Sequence, residues 1–377
     1  MKIFYWAPWI GNIGTIKAVL NSAYILNHYS KNEIKTKIIN SVGEWEKYKD
    51  NTEVINLRKS NIYKYLPQGG FLFSRITYII IFLSSFWSLK KLLKKEKPDF
   101  LIVQLITSLP LFLKMLFNLD TKLILRISGY PKMNFLRRTF WKIVSKKIHK
   151  ITFPSYDLYK EFKTLNIFEI NKMSVLYDPI ISYREVARLK NENSIAENPK
   201  KNEYLLCIGR LTKQKNFSLL INAFKEITKE YPNLKLIILG EGEERKKLKK
   251  IIKNLNLEKV VFLEGYKKNI FNYLHNCECY ISSSLYEDPG FTLIESGFLN
   301  KSVIAADSNT GPSEILNNSC NGFLFKNNDK ISLIDEYLKF KQSNFQEVMN
   351  KKINLKKFSK NFSVFKHFQS LEKILSN

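Results

Sequence analysis

Short apolar runs alternate along this chain with stretches whose apolar positions recur every three or four residues. Residues 3–7, 37–40, 100–105, 123–127 and 151–154 read as strands, and 16–27 as a helix. Lys97-Pro98-Asp99 marks the turn into the third run. Residues 175–180 read as the end of this series, and the Asn-, Lys- and Glu-rich segment 189–202 as an exposed connection. A second series follows. Strands are expected at 204–208, 235–239, 260–263, 279–281 and 303–306, and helices at 217–231, at 243–254 and after Gly290. Strands alternating with helices predict parallel sheets wrapped on both faces. The expected fold class is α/β, with two Rossmann-like, doubly wound domains facing a cleft. The first spans residues 1–178. Ligands in such domains bind beyond the carboxyl ends of the strands.

Two stretches stand apart. Residues 76–89 are apolar almost throughout, but Ser and Thr interrupt them and the run is short for a membrane span, so a buried helix is expected. Residues 134–150 read as an amphipathic helix. Leu136, Phe140, Ile143 and Val144 share a face, with Trp141 nearby. Arg138, Lys142 and His149 lie opposite, and Lys146 is towards the edge. That pattern suits a helix over a core and a helix on an anionic membrane alike.

Composition narrows the classes. The 377 residues suffice for two cores, and 45% hydrophobic and 14% aromatic residues fit a globular chain. Four cysteines give no disulfide framework. The Cys277-x-Cys279 pair has no second pair or His cluster to complete a zinc site, so core packing is expected. Reduced cysteines and a strand-like rather than signal-like start suggest the cytoplasm. The formal charge is +27, from 61 basic and 34 acidic residues, mostly through Lys. It favours acidic partners: nucleic acid, a phosphorylated substrate, or anionic lipid such as the inner membrane face. Lys offers no planar fork, and no nucleic-acid-binding motif appears, so no specific nucleic acid is expected.

The segment from Ser283 to Gly297 carries the most chemistry. Glu287 and Glu295 are eight positions apart. The helix beginning after Gly290 offers the N–H groups of Phe291, Thr292 and Leu293 to an anion. A phosphate at that end with two acids beside it suits a ligand that is part phosphate and part polyol, such as a nucleotide sugar. Gly209-Arg210 ends a strand and Lys215-Asn216 opens the next helix, so two cations project from one sheet edge and could neutralise a diphosphate. Gly240-Glu241-Gly242 lacks the third glycine of a dinucleotide fingerprint, which argues against a nicotinamide site. Gly11-Asn12-Ile13-Gly14 and Gly311-Pro312-Ser313-Glu314 are further strand-to-helix glycine loops.

In this order, with Phe262-Leu263-Glu264-Gly265-Tyr266 between them, these pieces resemble the family 4 retaining glycosyltransferases, glycosyl transferases group 1, of GT-B fold. The match covers nearly all of the second domain and is thin in the first. The resemblance implies a donor domain at 179–358 and a last segment, 359–377, whose helix crosses back to the first domain. It implies that Arg210 and Lys215 bind the donor diphosphate and that Glu295 holds the ribose. Glu287 and the backbone from Gly290 to Leu293 would hold the donor sugar and phosphates. Gly209 belongs to the same loop, Tyr266 would lie near the base, and Gly14 would let the first domain approach the phosphates. No metal or cofactor is implied. The donor would be a UDP- or GDP-sugar, and the acceptor a glycan or a lipid-linked glycan in polysaccharide or lipopolysaccharide assembly. Many members carry a His after the strand at 123–127. Here Arg126-Ile127-Ser128 stands there, so Arg126 or Ser128 is the acceptor-side candidate. An epimerase or hydrolase on the same fold, or a non-enzymatic basic membrane or nucleic-acid binder, remains as an alternative.

Overall fold

A computed structural model of the chain describes residues 1–9, 14–30, 33–49, 52–58, 61–67, 71–127, 134–192, 203–287, 289–308 and 311–376. The chain forms two compact units, residues 1–180 with 364–377, and residues 181–363.

The first unit holds a parallel sheet of seven strands: β1 (Lys2–Trp6), β2 (Lys35–Asn40), β3 (Val54–Asn56), β4 (Phe100–Val103), β5 (Lys122–Arg126), β6 (Lys150–Phe153) and β7 (Met173–Val175). Their order is β3-β2-β1-β4-β5-β6-β7. Its helices are α1 (Thr15–Tyr29), α2 (Phe71–Glu96), α3 (Ser108–Leu116), α4 (Phe135–Ser145) and α5 (Tyr156–Leu165). The second unit begins with α6 (Tyr183–Leu189). Its six parallel strands are β8 (Tyr204–Ile208), β9 (Lys235–Leu239), β10 (Val261–Gly265), β11 (Cys279–Ser282), β12 (Ser302–Asp307) and β13 (Phe323–Lys326), in the order β10-β9-β8-β11-β12-β13. Around them lie α7 (Phe217–Glu230), α8 (Arg245–Asn254), α9 (Phe271–Asn276), α10 (Phe291–Phe298), α11 (Pro312–Leu316), α12 (Lys330–Gln342) and α13 (Phe345–Ser359). The last helix, α14 (Val364–Ser376), packs on α1 in the first unit.

Both sheets are covered on two faces, so their strands are apolar on both sides. In β1, Phe4 and Trp6 join one core with α2, α3 and α4, while Ile3 and Tyr5 join another with α1 and α14. Some helix starts are capped by polar side chains: Asn134 accepts from the Arg137 N–H at 2.9 Å and Asn344 from the Glu347 N–H at 2.8 Å. Cys207, Cys277 and Cys279 are buried, and burial pushes the thiols of Cys207 and Cys277 up to about 12.

Two expectations are corrected here. Residues 76–89 belong to the 26-residue α2, and that helix is not a buried one. The row Thr77, Ile81, Ser85, Leu89 and Leu93, spaced by four, is buried, and Ile80, Phe82, Phe86 and Leu92 pack half-buried beside it, while Ile76, Ile79, Leu83 and Trp87 are exposed. A helix apolar all round gives no periodic signal for which face turns inward. The second correction concerns the amphipathic helix, which is shorter than 134–150 and rotated. In α4, Trp141 and Val144 are buried, whereas Leu136 and Ile143 are exposed. Trp141 turns in because it packs on Phe162 and Phe168, with ring centroids 5.7 and 5.6 Å away. His149 lies beyond the helix end, before β6.

A polar chain crosses the core of the first unit. His367 on α14 places Nδ1 2.7 Å from the Tyr177 carbonyl, which can only accept, so Nδ1 carries the proton. Nε2 therefore accepts from Ser22 Oγ at 2.8 Å, and Ser22 in turn accepts from the Tyr5 hydroxyl at 2.8 Å. Desolvation holds His367 neutral, its pKa pushed down from 6.5 to about 4. Unfolded, the imidazole takes a proton near 6.5; folded, it does so only near 4. Between those values the unfolded chain binds more protons. Stability from this group is thus whole above about pH 6.5 and falls as pH drops toward 4, by about 3 kcal/mol in all. Urea midpoints of the full chain across that range will show the slope, and His367→Gln will flatten it. An unchanged slope in the variant would remove His367 as its source.

Candidate functional site

In the second unit the strand order reverses direction between β8 and β11. At such a switch point the two following loops part and leave a crevice beyond the carboxyl ends of the strands. The loop after β8 carries Gly209, Arg210 and Lys215, and the loop after β11 carries Ser283, Ser284 and Glu287. Topology therefore gathers residues as distant in sequence as Lys215 and Glu287, 72 positions apart.

The two loops are tied to each other. The Leu285 N–H donates to the Gln214 carbonyl at 2.8 Å, Gln214 Nε2 donates to the Tyr286 carbonyl at 2.9 Å, and Ser283 Oγ donates to the Lys215 carbonyl at 2.9 Å. This frame brings the Lys215 ammonium onto Glu287 Oε1 as a hydrogen-bonded ion pair. Ser284 Oγ donates to the same oxygen at 2.7 Å. The two side chains are only 18% and 12% exposed, so solvent screens the pair poorly. Gly209 lies under the Lys215 stem, and a Cβ there would stand 2.9 Å from Lys215 Cε. Arg210 is exposed at the same edge. The Gly240 turn reaches this loop closely enough that a Cβ on Gly240 would fall 1.9 Å from the Gly209 carbonyl oxygen.

Gly290 adopts φ +94°, a left-handed conformation that glycine takes without strain, and from it α10 departs. The Phe291 and Thr292 N–H groups stand at the open end of that helix. The Leu293 N–H is already donated to the Gly290 carbonyl at 3.1 Å, which corrects the expectation that all three amides face a ligand. Tyr280 on β11 and Thr292 share a hydrogen bond of 2.6 Å, pinning the first turn to the sheet. Glu295, one turn on, is buried at 7% exposure. Tyr266, after β10, is exposed.

In the first unit, Gly14 caps α1 at φ −60°, an ordinary right-handed conformation, and is exposed. Gly11, Asn12 and Ile13 lie outside the described residues, as does Ser128. Arg126 ends β5 and is buried, with Nε donating to Asp178 Oδ1 at 3.0 Å and Nη2 bonded to Asp178 Oδ2. It also lines an opening of about 610 Å³ with Gln104, Phe112, Leu136, Arg137 and Phe140.

Residues 190–361 match the family model described as glycosyl transferases group 1. The second unit carries a domain of this family. The chain is 33% identical over 258 residues to an uncharacterized glycosyltransferase of Methanocaldococcus jannaschii, covering 61% of each chain. It is 28% identical over 228 residues to an N-acetylgalactosamine-N,N'-diacetylbacillosaminyl-diphospho-undecaprenol 4-alpha-N-acetylgalactosaminyltransferase of Campylobacter jejuni, covering 58% of this chain and 60% of that one. The chain thus spans about six-tenths of the length of these curated relatives. Among solved structures, Anabaena HepE in complex with UDP superposes with a TM-score of 0.72 at 16% identity, covering all of both chains. That likeness shows the GT-B glycosyltransferase fold.

Within this domain the residues expected from the sequence largely share one neighbourhood: Gly209, Arg210, Lys215, Glu287, Gly290 and Glu295 all belong to the loops at the β8–β11 edge or to α10. What sequence reasoning missed is the Lys215–Glu287 pair itself and the hydroxyl of Ser284 that supports it. The Ser283-Ser284 doublet after an apolar strand was the available signal, since hydroxyls there reach neighbouring loops.

Proposed function

We propose that this chain is a retaining glycosyltransferase that moves a sugar from a nucleotide-diphosphate sugar to an acceptor hydroxyl. The observation that carries this reading is the convergence of Arg210, the Lys215–Glu287 pair and the α10 N-terminus at one sheet edge, with Glu295 one helical turn away. Arg210 and Lys215 take the diphosphate, with Phe291 and Thr292 amides at the helix end. Glu295 takes the ribose hydroxyls, and Glu287 the sugar. In the reaction the bond from the sugar's anomeric carbon to the diphosphate oxygen breaks. The acceptor oxygen bonds to that carbon from the same side, and its proton passes to a departing diphosphate oxygen. Charge grows on the leaving group, so fixed cations beside it lower the barrier. A UDP-sugar is the favoured donor, supported by the UDP held by HepE. A glycan acceptor carried on a lipid, in cell-surface polysaccharide or lipopolysaccharide assembly at the cytoplasmic membrane face, is supported by the Campylobacter relative's diphospho-undecaprenol substrate.

Thermal unfolding with UDP, GDP, ADP and CMP tests the donor site. A ligand that binds only the folded chain stabilises it by about 2.7 kcal/mol at a hundred times its Kd. UDP will raise the unfolding temperature, and Glu295→Ala will abolish the rise. No shift with any of the four nucleotides would remove the reading.

A further inference from the structure

The outer side of α2 has no counterpart in the donor chemistry. Residues 75–96 form a helix long and apolar enough to cross a membrane, yet only 28% of its apolar window is buried. Its core-facing row includes two polar side chains, Thr77 and Ser85, while Ile76, Ile79, Leu83 and Trp87 point outward. Leu83 and Trp87 are each 67% exposed. At 3.6 residues per turn these four share one side, and Lys90, Lys91 and Lys94 continue it towards the helix end. The face does not stop at α2. Phe82 packs on Phe112 of α3 at 5.9 Å between ring centroids, and Phe112 stacks on Phe140 of α4 at 5.3 Å. Beyond that chain of rings, Leu116, Phe135, Leu136 and Ile143 are exposed as well.

Charge says what covers such a face. Between residues 54 and 156 the sequence holds 19 Lys and Arg and only three acids, Glu96, Asp99 and Asp120, a net +16 out of the chain's +27. Arg137, Arg138, Lys142 and Lys146 sit among the exposed apolar side chains of α4 or just beyond its end. Lys90 lies over the rings of Trp87 and Phe117, at 4.7 and 3.7 Å from their centroids. A second copy of the same face would set like charges against each other. An anionic bilayer offers hydrocarbon for the apolar side chains and phosphates for the cations. We infer that the α2–α4 face of the first unit docks on an anionic membrane, with α2 lying in the interface plane.

The packing argues that α2 rests on the bilayer and does not cross it. Ile81, Leu89 and Leu93 are part of the sheet's own core. Thr77 Oγ1 donates to the Pro67 carbonyl at 2.7 Å, and Arg58 Nη2 donates to the Ser84 carbonyl at 2.6 Å. Spanning would tear out that row. Trp87 above a cluster of lysines matches the amphipathic zone where ring and ammonium both find partners.

The test is flotation of the full-length protein with vesicles of phosphatidylcholine alone or mixed equally with phosphatidylglycerol. Binding is expected on the mixed vesicles only, weakening as salt rises. Leu83→Glu with Trp87→Glu should lower the partition about tenfold or more, since it removes two apolar anchors and adds like charge to the lipid. Both side chains are exposed, so the variant should keep the parent's unfolding temperature and its UDP-induced shift. That separates this inference, which does not rest on the donor reading, from failure of that reading. Absence of binding to the mixed vesicles, or equal binding by the variant, overturns it. So does a concentration-dependent dimer that the variant abolishes, which would make the face a contact between copies.

Discussion

Lys215→Ala will lower sugar transfer by about a hundredfold or more, the scale seen when a group that stabilises transition-state charge is removed. The ammonium is held in advance by Glu287, and its loop by the Leu285 N–H bond to the Gln214 carbonyl and the Ser283 hydroxyl bond to the Lys215 carbonyl, so on the proposed reading little reorganisation is needed when diphosphate arrives. Removing it has a second effect. Glu287 would be left as an anion beside the incoming phosphates, and donor binding would weaken together with turnover. Glu287→Gln separates the two. It frees Lys215 from its counter-ion, so nucleotide affinity should hold or rise while kcat falls. Steady-state kinetics and nucleotide titrations on both single variants and the double will give the coupling between the side chains, expected to be non-additive because they touch. Lys215→Ala turnover within about threefold of the parent would assign the lysine to loop structure alone. Arg210, which is exposed and approaches from the same edge, should show a loss of similar order with less effect on stability.

The strands could be read from the chain because each is buried on both faces and so is apolar without interruption: 204–208, 235–239 and 279–281 stand within a residue or two of β8, β9 and β11. The short edge strands β3, β7 and β13 were not legible. Three or four residues carry too little pattern, and it is a neighbour's open edge that makes them strands. Site residues were legible one by one, since glycine turns and charged residues after apolar runs mark loop ends. Their partnership was not. Lys215 and Glu287 meet only because the sheet order places β8 beside β11, a fact of topology that no local spacing encodes. The same holds for Arg126 and Asp178, 52 positions apart. For α2 the failure has another cause. Composition tells how apolar a helix is but not what it faces, and both a core and a bilayer select the same side chains.

Asp178→Ala will destabilise the first unit by about 3–5 kcal/mol, because it strands a guanidinium in a place closed to water. Arg126 is 5% exposed and Asp178 1%. Both Nε and Nη2 of the arginine are committed to the carboxylate, in the planar, two-point geometry that only Arg supplies. Such a pair is not a net source of stability merely by being buried, since desolvating two charges offsets much of their attraction. Arg126→Met with Asp178→Leu should therefore recover most of the loss, to within about 1–2 kcal/mol of the parent in urea unfolding. His367 is beside the pair, and Asp178 opposes the arginine's effect on its titration, so the acid-side slope should shift in the same variants. The double variant also decides what Arg126 does for function. It lines the opening with Gln104 and Phe112, where an acceptor-side role was expected of it. A stable double variant that keeps its UDP shift but loses transfer would assign Arg126 to the acceptor. One that keeps both would leave the arginine a structural strut, fixing the end of β5 to the chain after β7.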